Sequence, residues 1–258
     1  RNVGSKAMKW ADLTTGDLDA LSRDTPVILN IAAIEQHGPH LPVDTDLRIG
    51  GFFLDQLDQE MPDAQLILPP VCVGCSDHHL DFTGTLSIPH QVFQDYVIAI
   101  LESVAKSGFH NIILFNSHGG NIGIGQVITE RFGADHPECQ IVFATWWNLV
   151  REELLCLSGT DKFGTGHACE LETSLMMACR PQRNYSDLPG GESFVSKFSW
   201  ADGSMLYPAK VTLYRSMKAI SGGNGVVGKP QAGTIEKGQE ILDLVVKTLS
   251  QIVKDLRG

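Results

Sequence analysis

Carboxylate and imidazole side chains crowd into one short stretch of the chain, residues 31–49. An apolar run ends inside this stretch, and Glu35, His37 and Asp46 follow it among glycine and proline residues that constrain the backbone. In an extended chain, side chains two residues apart point the same way, so Glu35 and His37 can reach one ion while Gln36 faces elsewhere. Asp46 stands where the next helix should begin. These mixed oxygen and nitrogen donors predict a site for a divalent metal ion.

Other polar groups follow the next predicted strands of the chain. His79 comes after the second strand and His118 after the third, and Trp146 and Trp147 stand at the end of the fourth. Because ligands of open parallel sheets bind outside the carboxyl ends of the strands, we expect these loops to meet at one edge. Gly119 and Gly120 follow directly and let the backbone approach an ion or a substrate closely. His79 lies on a polar loop, where a place in the pocket wall and an ordinary structural role are equally open.

A helix predicted over residues 167–179 carries a further candidate pair. If this helix includes His167, then His167 and Glu170 lie on one stripe, three residues apart, and face the site together. Glu172 would then point away and cap or brace the helix.

Two other motifs favour ordinary roles. The glycine-rich residues 119–125 resemble a phosphate-binding turn, but their spacing fits neither G-x-G-x-x-G nor a G-K-[ST] loop, so nucleotide binding is disfavoured. Cys72 and Cys75 form a C-x-x-C in apolar surroundings with no matching second pair, which favours buried packing over zinc or redox chemistry.

Strands and helices alternate along the chain, which predicts a single α/β domain over residues 1–258, a three-layer α/β/α sandwich with a mainly parallel sheet. The first strand is almost wholly apolar, as expected for a strand covered on both faces. Residues 180–229 are rich in Gly, Ser, Pro and Tyr, and only 210–214 suggest a strand, so this segment is predicted to be irregular and is a candidate cover for the site. The predicted strands are 26–34, 66–73, 111–116 and 140–146, and the predicted helices are 10–21, 47–61, 89–108, 122–132, 148–157, 167–179 and 234–256.

Composition limits the partners of the chain. With 258 residues, 43% hydrophobic and 19% charged, it is typical of a soluble protein, and its net charge of −10 disfavours nucleic acid and anionic membranes while favouring a small neutral or cationic substrate. We find no apolar stretch of membrane-spanning length and no signal-peptide core in residues 1–10, and so expect a cytoplasmic protein. The six cysteines are scattered, which favours reduced thiols.

Taken together, the motifs resemble the creatininase (creatinine amidohydrolase) family. They occur in the family's order over nearly the whole chain, and only about residues 180–226 lack a clear counterpart. The matching pieces are residues 34–38 (IEQHG) with Asp46, 82–87 (FTGTLS), 116–121 (NSHGGN), Trp147, His167 with 172–174 (ETS), and 236–238 (EKG).

The resemblance implies a binuclear metal centre in an α/β/α fold, in a homohexamer. Carried over by motif, Glu35 and His118 would hold one metal ion, His37 the other, and Asp46 would bridge both. His167 matches the histidine that handles protons in the family. Zinc, manganese and iron all suit these donors.

This chain also departs from the pattern of creatininases proper. Gly120 stands where they carry a glutamate ligand, and Glu170 is the candidate that would replace it, with both a metal-binding and a catalytic role. Trp147 matches an aromatic wall of the pocket, but a second pocket tryptophan falls near Phe163, and the usual F-P-G-T is FTGT at 82–85. These differences argue against creatinine itself as substrate and leave the metal chemistry intact.

The predicted activity is therefore hydrolysis of a non-peptide C–N bond in a small linear or cyclic amide. Two divalent ions would share a water and supply hydroxide near neutral pH, and His167 would give a proton to the departing nitrogen. Two alternatives stay open: a formamide deformylase or small-peptide peptidase on the same fold, and a metal-binding hexamer without turnover, which the glycine at position 120 favours.

Overall fold

Four parallel strands form the centre of the protein. The computed structural model describes residues 8–193 and 196–258. The strands are β1 (Val27–Ile31), β2 (Leu66–Ile67), β3 (Asn111–Asn116) and β4 (Gln140–Thr145), in the order β2-β1-β3-β4. Every neighbouring pair is parallel, which confirms the predicted α/β class and sheet type.

Helices cover both faces of this sheet. Alternate residues of β1 belong to two separate apolar clusters: Ile28 packs in the cluster that contains residues of α2, α7 and α9, and Leu29 packs in the cluster that contains residues of α3 and α4. All five residues of β1 are buried, as its continuous apolar run predicts. The layers are thus α/β/α. The helices are α1 (Thr15–Asp19), α2 (Thr45–Glu60), α3 (His90–Lys106), α4 (Ile122–Asp135), α5 (Trp146–Leu149), α6 (Arg151–Leu157), α7 (Glu170–Cys179), α8 (Met217–Ile220) and α9 (Ile235–Arg257).

Several element boundaries differ from the sequence-based expectation. The second strand stops at residue 67 because Pro69 and Pro70 have no N–H for the ladder, and only a bridge between Ile31 and Val71 continues it. The helix expected over residues 10–21 is a short 3-10 turn followed by α1. Helix α1 begins anew because the Thr14 side chain accepts from the Asp17 N–H at 3.2 Å. The helix expected over 148–157 is divided into α5 and α6 at Val150.

Helix α7 starts three residues later than expected, and this shift matters for the site. His167 lies outside the helix, where it pairs with Val227 in an isolated bridge. Ala168 then turns the chain with φ of +52° before α7 begins at Glu170. The expected stripe of residues 167 and 170 on one helix face is therefore wrong.

The segment 180–229 is largely irregular, as expected. Its described residues hold a 3-10 turn at Ser199–Ala201 and the short helix α8, and the strand suggested at 210–214 is not formed. Within the described ranges, no helix has both the length and the apolar character needed to cross a bilayer. Residues 1–7, part of the stretch in which we find no signal-peptide core, lie outside the described residues.

Candidate metal centre

The predicted ligands meet at the carboxyl edge of the sheet. Glu35 and His37 follow β1, Asp46 lies in the first turn of α2, and His118 follows β3. Each of the four is at most 2% exposed. The parallel topology brings them together, because the loops that leave these strands all open on the same side.

Asp46 stands between the two histidines. Its Oδ2 lies 3.0 Å from Nδ1 of His118, and its Oδ1 lies 3.2 Å from Nε2 of His37. Glu35 joins the first of these contacts, with Oε1 at 3.3 Å from Nδ1 of His118. The Asp46 carboxylate thus contacts two neighbouring groups of donor atoms, one with each of its oxygens.

Glu172 adds a second carboxylate beside His37. Its Oε1 lies 3.8 Å from Nε2 of His37, and its Oε2 accepts from the Ala168 N–H at 2.5 Å. The side chain therefore braces the start of α7, as expected, and also reaches the site, which was not expected. His37, His167 and Glu172 offer donor atoms within 4.8 Å of one another.

The donor atoms have the chemistry that a divalent cation requires. Oε2 of Glu35, Nε2 of His37 and Oδ2 of Asp46 are buried, and none of their contacts has the geometry of a hydrogen bond. The Nδ1 of His37 lies 3.1 Å from the backbone oxygen of Glu35, and Nε2 of His118 lies 3.1 Å from that of Cys75. Since a carbonyl oxygen only accepts, each of these nitrogens carries a proton, and the other ring nitrogen is the one whose lone pair an ion would take once its proton is displaced.

The electrostatics of the cluster agree with this assignment. Burial lowers the pKa of His118, but Glu35 and Asp46 outweigh it and raise that pKa to about 10. Burial likewise opposes the charged form of His37, and Asp46 and Glu172 still raise its pKa well above the usual value. The negative potential that holds protons on these imidazoles also attracts a cation.

Gln36 fixes the protonation of two further histidines. Its Oε1 accepts from the Gly38 N–H at 2.9 Å, so its Nε2 is the atom that donates to Nδ1 of His79, also at 2.9 Å. His79 must then carry its proton on Nε2, which lies 3.5 Å from Oε2 of Glu35. Nε2 of His167 donates to the backbone oxygen of Gln36 at 2.6 Å, which leaves a lone pair on Nδ1. The site thus presents one N–H donor and one nitrogen base.

Both of these imidazoles are held neutral. Burial and the charge of His37 lower the pKa of His167 to about 3, and burial and the neighbouring histidines lower the pKa of His79. The Gln36 amide keeps its position because residue 225 is a glycine with φ of +79°. A Cβ there would lie 2.0 Å from Oε1 of Gln36.

A cavity of about 610 Å³ opens from this cluster. Three predicted substrate residues line it, namely Trp147, His79 and Gly119, together with Ile122 and several residues of 201–220. The irregular segment therefore forms a wall of the site, as the sequence suggested.

Comparison with known proteins identifies the family. The creatininase family model, described as creatinine amidohydrolase, matches residues 8–253. The chain belongs to the creatininase family. The resemblance inferred from the motifs is confirmed.

The proteins to which this chain is similar carry names for different activities. The chain is 26% identical over 236 residues to a mycofactocin precursor peptide peptidase of Mycobacterium ulcerans, covering 88% of this chain and 84% of the relative. It is 22% identical over 246 residues to a 3-dehydro-scyllo-inosose hydrolase of Thermotoga maritima, covering 89% and 77%. A solved structure described as "Creatininase Mn" superposes with a TM-score of 0.80 at 19% identity, over 97% of this chain and 98% of that one, and so shares the fold.

Glu170, proposed above as the ligand that replaces the family's missing glutamate, points away from the cluster. Its carboxylate accepts from Nζ of Lys237 at 2.8 Å and from the Gly159 N–H at 3.2 Å, and it also bonds the Ser158 hydroxyl. The prediction that it faces the site with His167 is wrong, because α7 starts too late to place both on one stripe. Glu172 is the carboxylate of α7 that reaches the centre.

Two predicted substrate residues are also absent from the cavity wall. Neither Phe163 nor Gly120 is among the described residues that line it. Gly120 instead packs against the ligand shell, since a Cβ there would lie 2.4 Å from Nε2 of His118 and 2.1 Å from the backbone oxygen of Cys75. In this conformation the position has no room for the glutamate of creatininases proper.

Sequence reasoning missed Glu172 and Gln36. Glu172 belongs to the matched ETS motif, which was a usable signal, but its orientation depended on where the helix begins. Gln36 was predicted only to face elsewhere than Glu35 and His37. Its contact with His79 involves a distant loop and had no local signal.

Proposed function

We propose that this chain is a metal-dependent hydrolase of C–N bonds in amides. The observation that carries the proposal is the position of Asp46, whose two oxygens face His118 and His37 at 3.0 and 3.2 Å. A shared carboxylate between two donor groups is the arrangement expected for a pair of divalent cations.

Each donor group has three side chains. Glu35, Asp46 and His118 would hold one cation, and His37, Asp46 and Glu172 the other. Such a pair, when bound, supplies an acidified water and polarises the carbonyl that is attacked. The chain offers Glu172 in place of the glutamate that Gly120 excludes.

The two neutral histidines supply the remaining chemistry. His167 presents Nδ1 with a lone pair, so it can take a proton from the attacking water and give it to the departing nitrogen. His79 presents Nε2–H, which can donate to the carbonyl oxygen as negative charge develops there. Gln36 keeps both rings in these tautomers through its side chain and its backbone oxygen.

The substrate is a small linear or cyclic amide. A peptide is the second candidate, favoured by the similarity to a peptide peptidase. The cavity of about 610 Å³ lies within the range of roughly 300–1,000 Å³ for ligand sites and suits either substrate. Assembly as a homohexamer in the cytoplasm remains a prediction from the resemblance and the composition.

Metal analysis of single variants tests the proposal. We expect about two divalent ions per chain in the wild type, with loss of metal and activity in Asp46→Ala and His118→Ala. Glu172→Gln should lose the second ion, whereas the matched Glu170→Gln should keep both. Full metal content in Asp46→Ala and His118→Ala would refute the ligand assignment.

A panel of lactams, formamides and dipeptides, assayed with added zinc, manganese or iron, then separates the substrate classes.

A further inference from the structure

Charged side chains are segregated within the cavity. The acidic residues that line it, Glu35, Asp46 and Glu172, all belong to the metal-ligand cluster. Apart from histidines, the charged residues in the rest of the described lining are two arginines, Arg151 and Arg215. The chain as a whole has 30 acidic and 20 basic residues. A cavity wall that contains arginines and no acidic residue therefore has the opposite charge to the chain average.

Arg151 is poised for a ligand of opposite charge. It is the first residue of α6, and Nη2 of its guanidinium donates to Oδ1 of Asn148 at 3.0 Å. Its Nε is buried and has no hydrogen-bond partner, and no carboxylate of the described residues lies within ion-pair distance of it. A buried guanidinium nitrogen without an acceptor is unfavourable, and a planar anion such as a carboxylate satisfies it well.

Arg215 brings a second positive charge from a different part of the chain. It lies in the irregular segment, and its Nη2 donates to the backbone oxygen of Ala201 at 3.5 Å. Helix α6 and this segment therefore each place one guanidinium in the wall of the same cavity. Two arginines from separate elements favour an anion more strongly than either would alone.

We propose that the outer cavity binds a carboxylate of the substrate, through Arg151 and Arg215, while the scissile amide lies at the metal-ligand cluster. The inference rests on the proposed function for the position of the amide. It narrows the substrate class to amides that carry a carboxylate, such as N-acyl amino acids or the end of a short peptide. The net charge favoured a neutral or cationic substrate, but the charges that line the cavity outweigh the net charge because they are the ones a ligand meets.

Binding of a matched pair of probes tests this proposal without turnover. The probes are N-acetyl-L-leucine and N-acetyl-L-leucinamide, which differ in the carboxylate, and binding is measured by calorimetry on the His167→Ala protein loaded with zinc. We expect the acid to bind about 10- to 100-fold more tightly than the amide. Arg151→Met should remove most of that preference, Arg151→Lys should keep part of it, and Arg131→Met, an exposed control on α4, should change nothing.

A second background separates this inference from the proposed function. In an Asp46→Asn protein without added metal, preference for the acid should persist and should still depend on Arg151. If the preference disappears there and is insensitive to Arg151→Met in the loaded protein, the acid binds as a metal ligand and the arginine site is refuted. If the Asp46→Asn protein keeps its metal while the preference depends on Arg151, the ligand assignment fails and the anion site stands.

Discussion

Removing the partner of a buried carboxylate should destabilise the protein without disturbing the metal centre. Glu170 is fully buried and its carboxylate pairs with Nζ of Lys237, which is 13% exposed. In Lys237→Met the hydroxyl and N–H donors around residues 158–160 remain, but no positive charge does. Loss of one partner of a buried pair costs about 3–5 kcal/mol. For a chain of this length we expect the melting temperature to fall by roughly 6–10 °C.

Thermal unfolding measures the melting temperature, urea denaturation measures the free energy of unfolding, and metal analysis of the folded protein tests whether the site is intact. The double variant Lys237→Met/Glu170→Met replaces the pair with apolar side chains, and it should recover most of the lost stability because no buried charge is left alone. Metal content should equal that of the wild type in Lys237→Met, in Glu170→Met and in the double variant. A loss of metal in Glu170→Met at preserved stability would show that Glu170 is a ligand after all, and our placement of α7 would be mistaken.

Three further predictions concern the site itself. His79→Phe removes the Nε2–H donor and should lower kcat for any amide that is hydrolysed by roughly 10²- to 10³-fold at unchanged metal content; a kcat near wild type would contradict the role of this donor. Gly120→Ala places a Cβ 2.4 Å from Nε2 of His118, so measured metal affinity should fall, and Gly120→Glu should not restore a creatininase-like ligand set. Because carboxylates raise the pKa of His118 to about 10 and that of His37 above its usual value, a cation must displace protons from both, so affinity should increase from about pH 6 to about pH 8. Calorimetry in buffers of different ionisation enthalpy should detect this proton release, and a pH-independent affinity would contradict it.

The sheet and the edge that carries the site were predictable because both depend on short sequence patterns, each contained within a few consecutive residues. The apolar run of β1 and the polar residues directly after it predict a buried parallel strand followed by ligands. The motif around His118 follows β3 in the same way. Position after a strand was enough to place these side chains near one another without any knowledge of distances.

Orientation within the site was less predictable. Whether Glu170 or Glu172 faces His37 depends on where α7 begins, and that start is set by the bridge between His167 and Val227, residues 60 positions apart. Helix periodicity cannot supply the starting point, because it only relates residues that are already helical. The contact of Gln36 with His79 is likewise made across two loops.

The walls of the cavity have two separate origins. The proposed cation ligands lie in loops that directly follow strands and in the first turns of α2 and α7, whereas much of the opposite lining comes from residues 201–220, most of which lie outside regular structure. Mutations in that segment can alter which molecules enter without disturbing the strands that support the reaction. Evolution could therefore diversify the substrates of such a scaffold by replacing one surface stretch, and laboratory selection aimed at a new specificity should begin there.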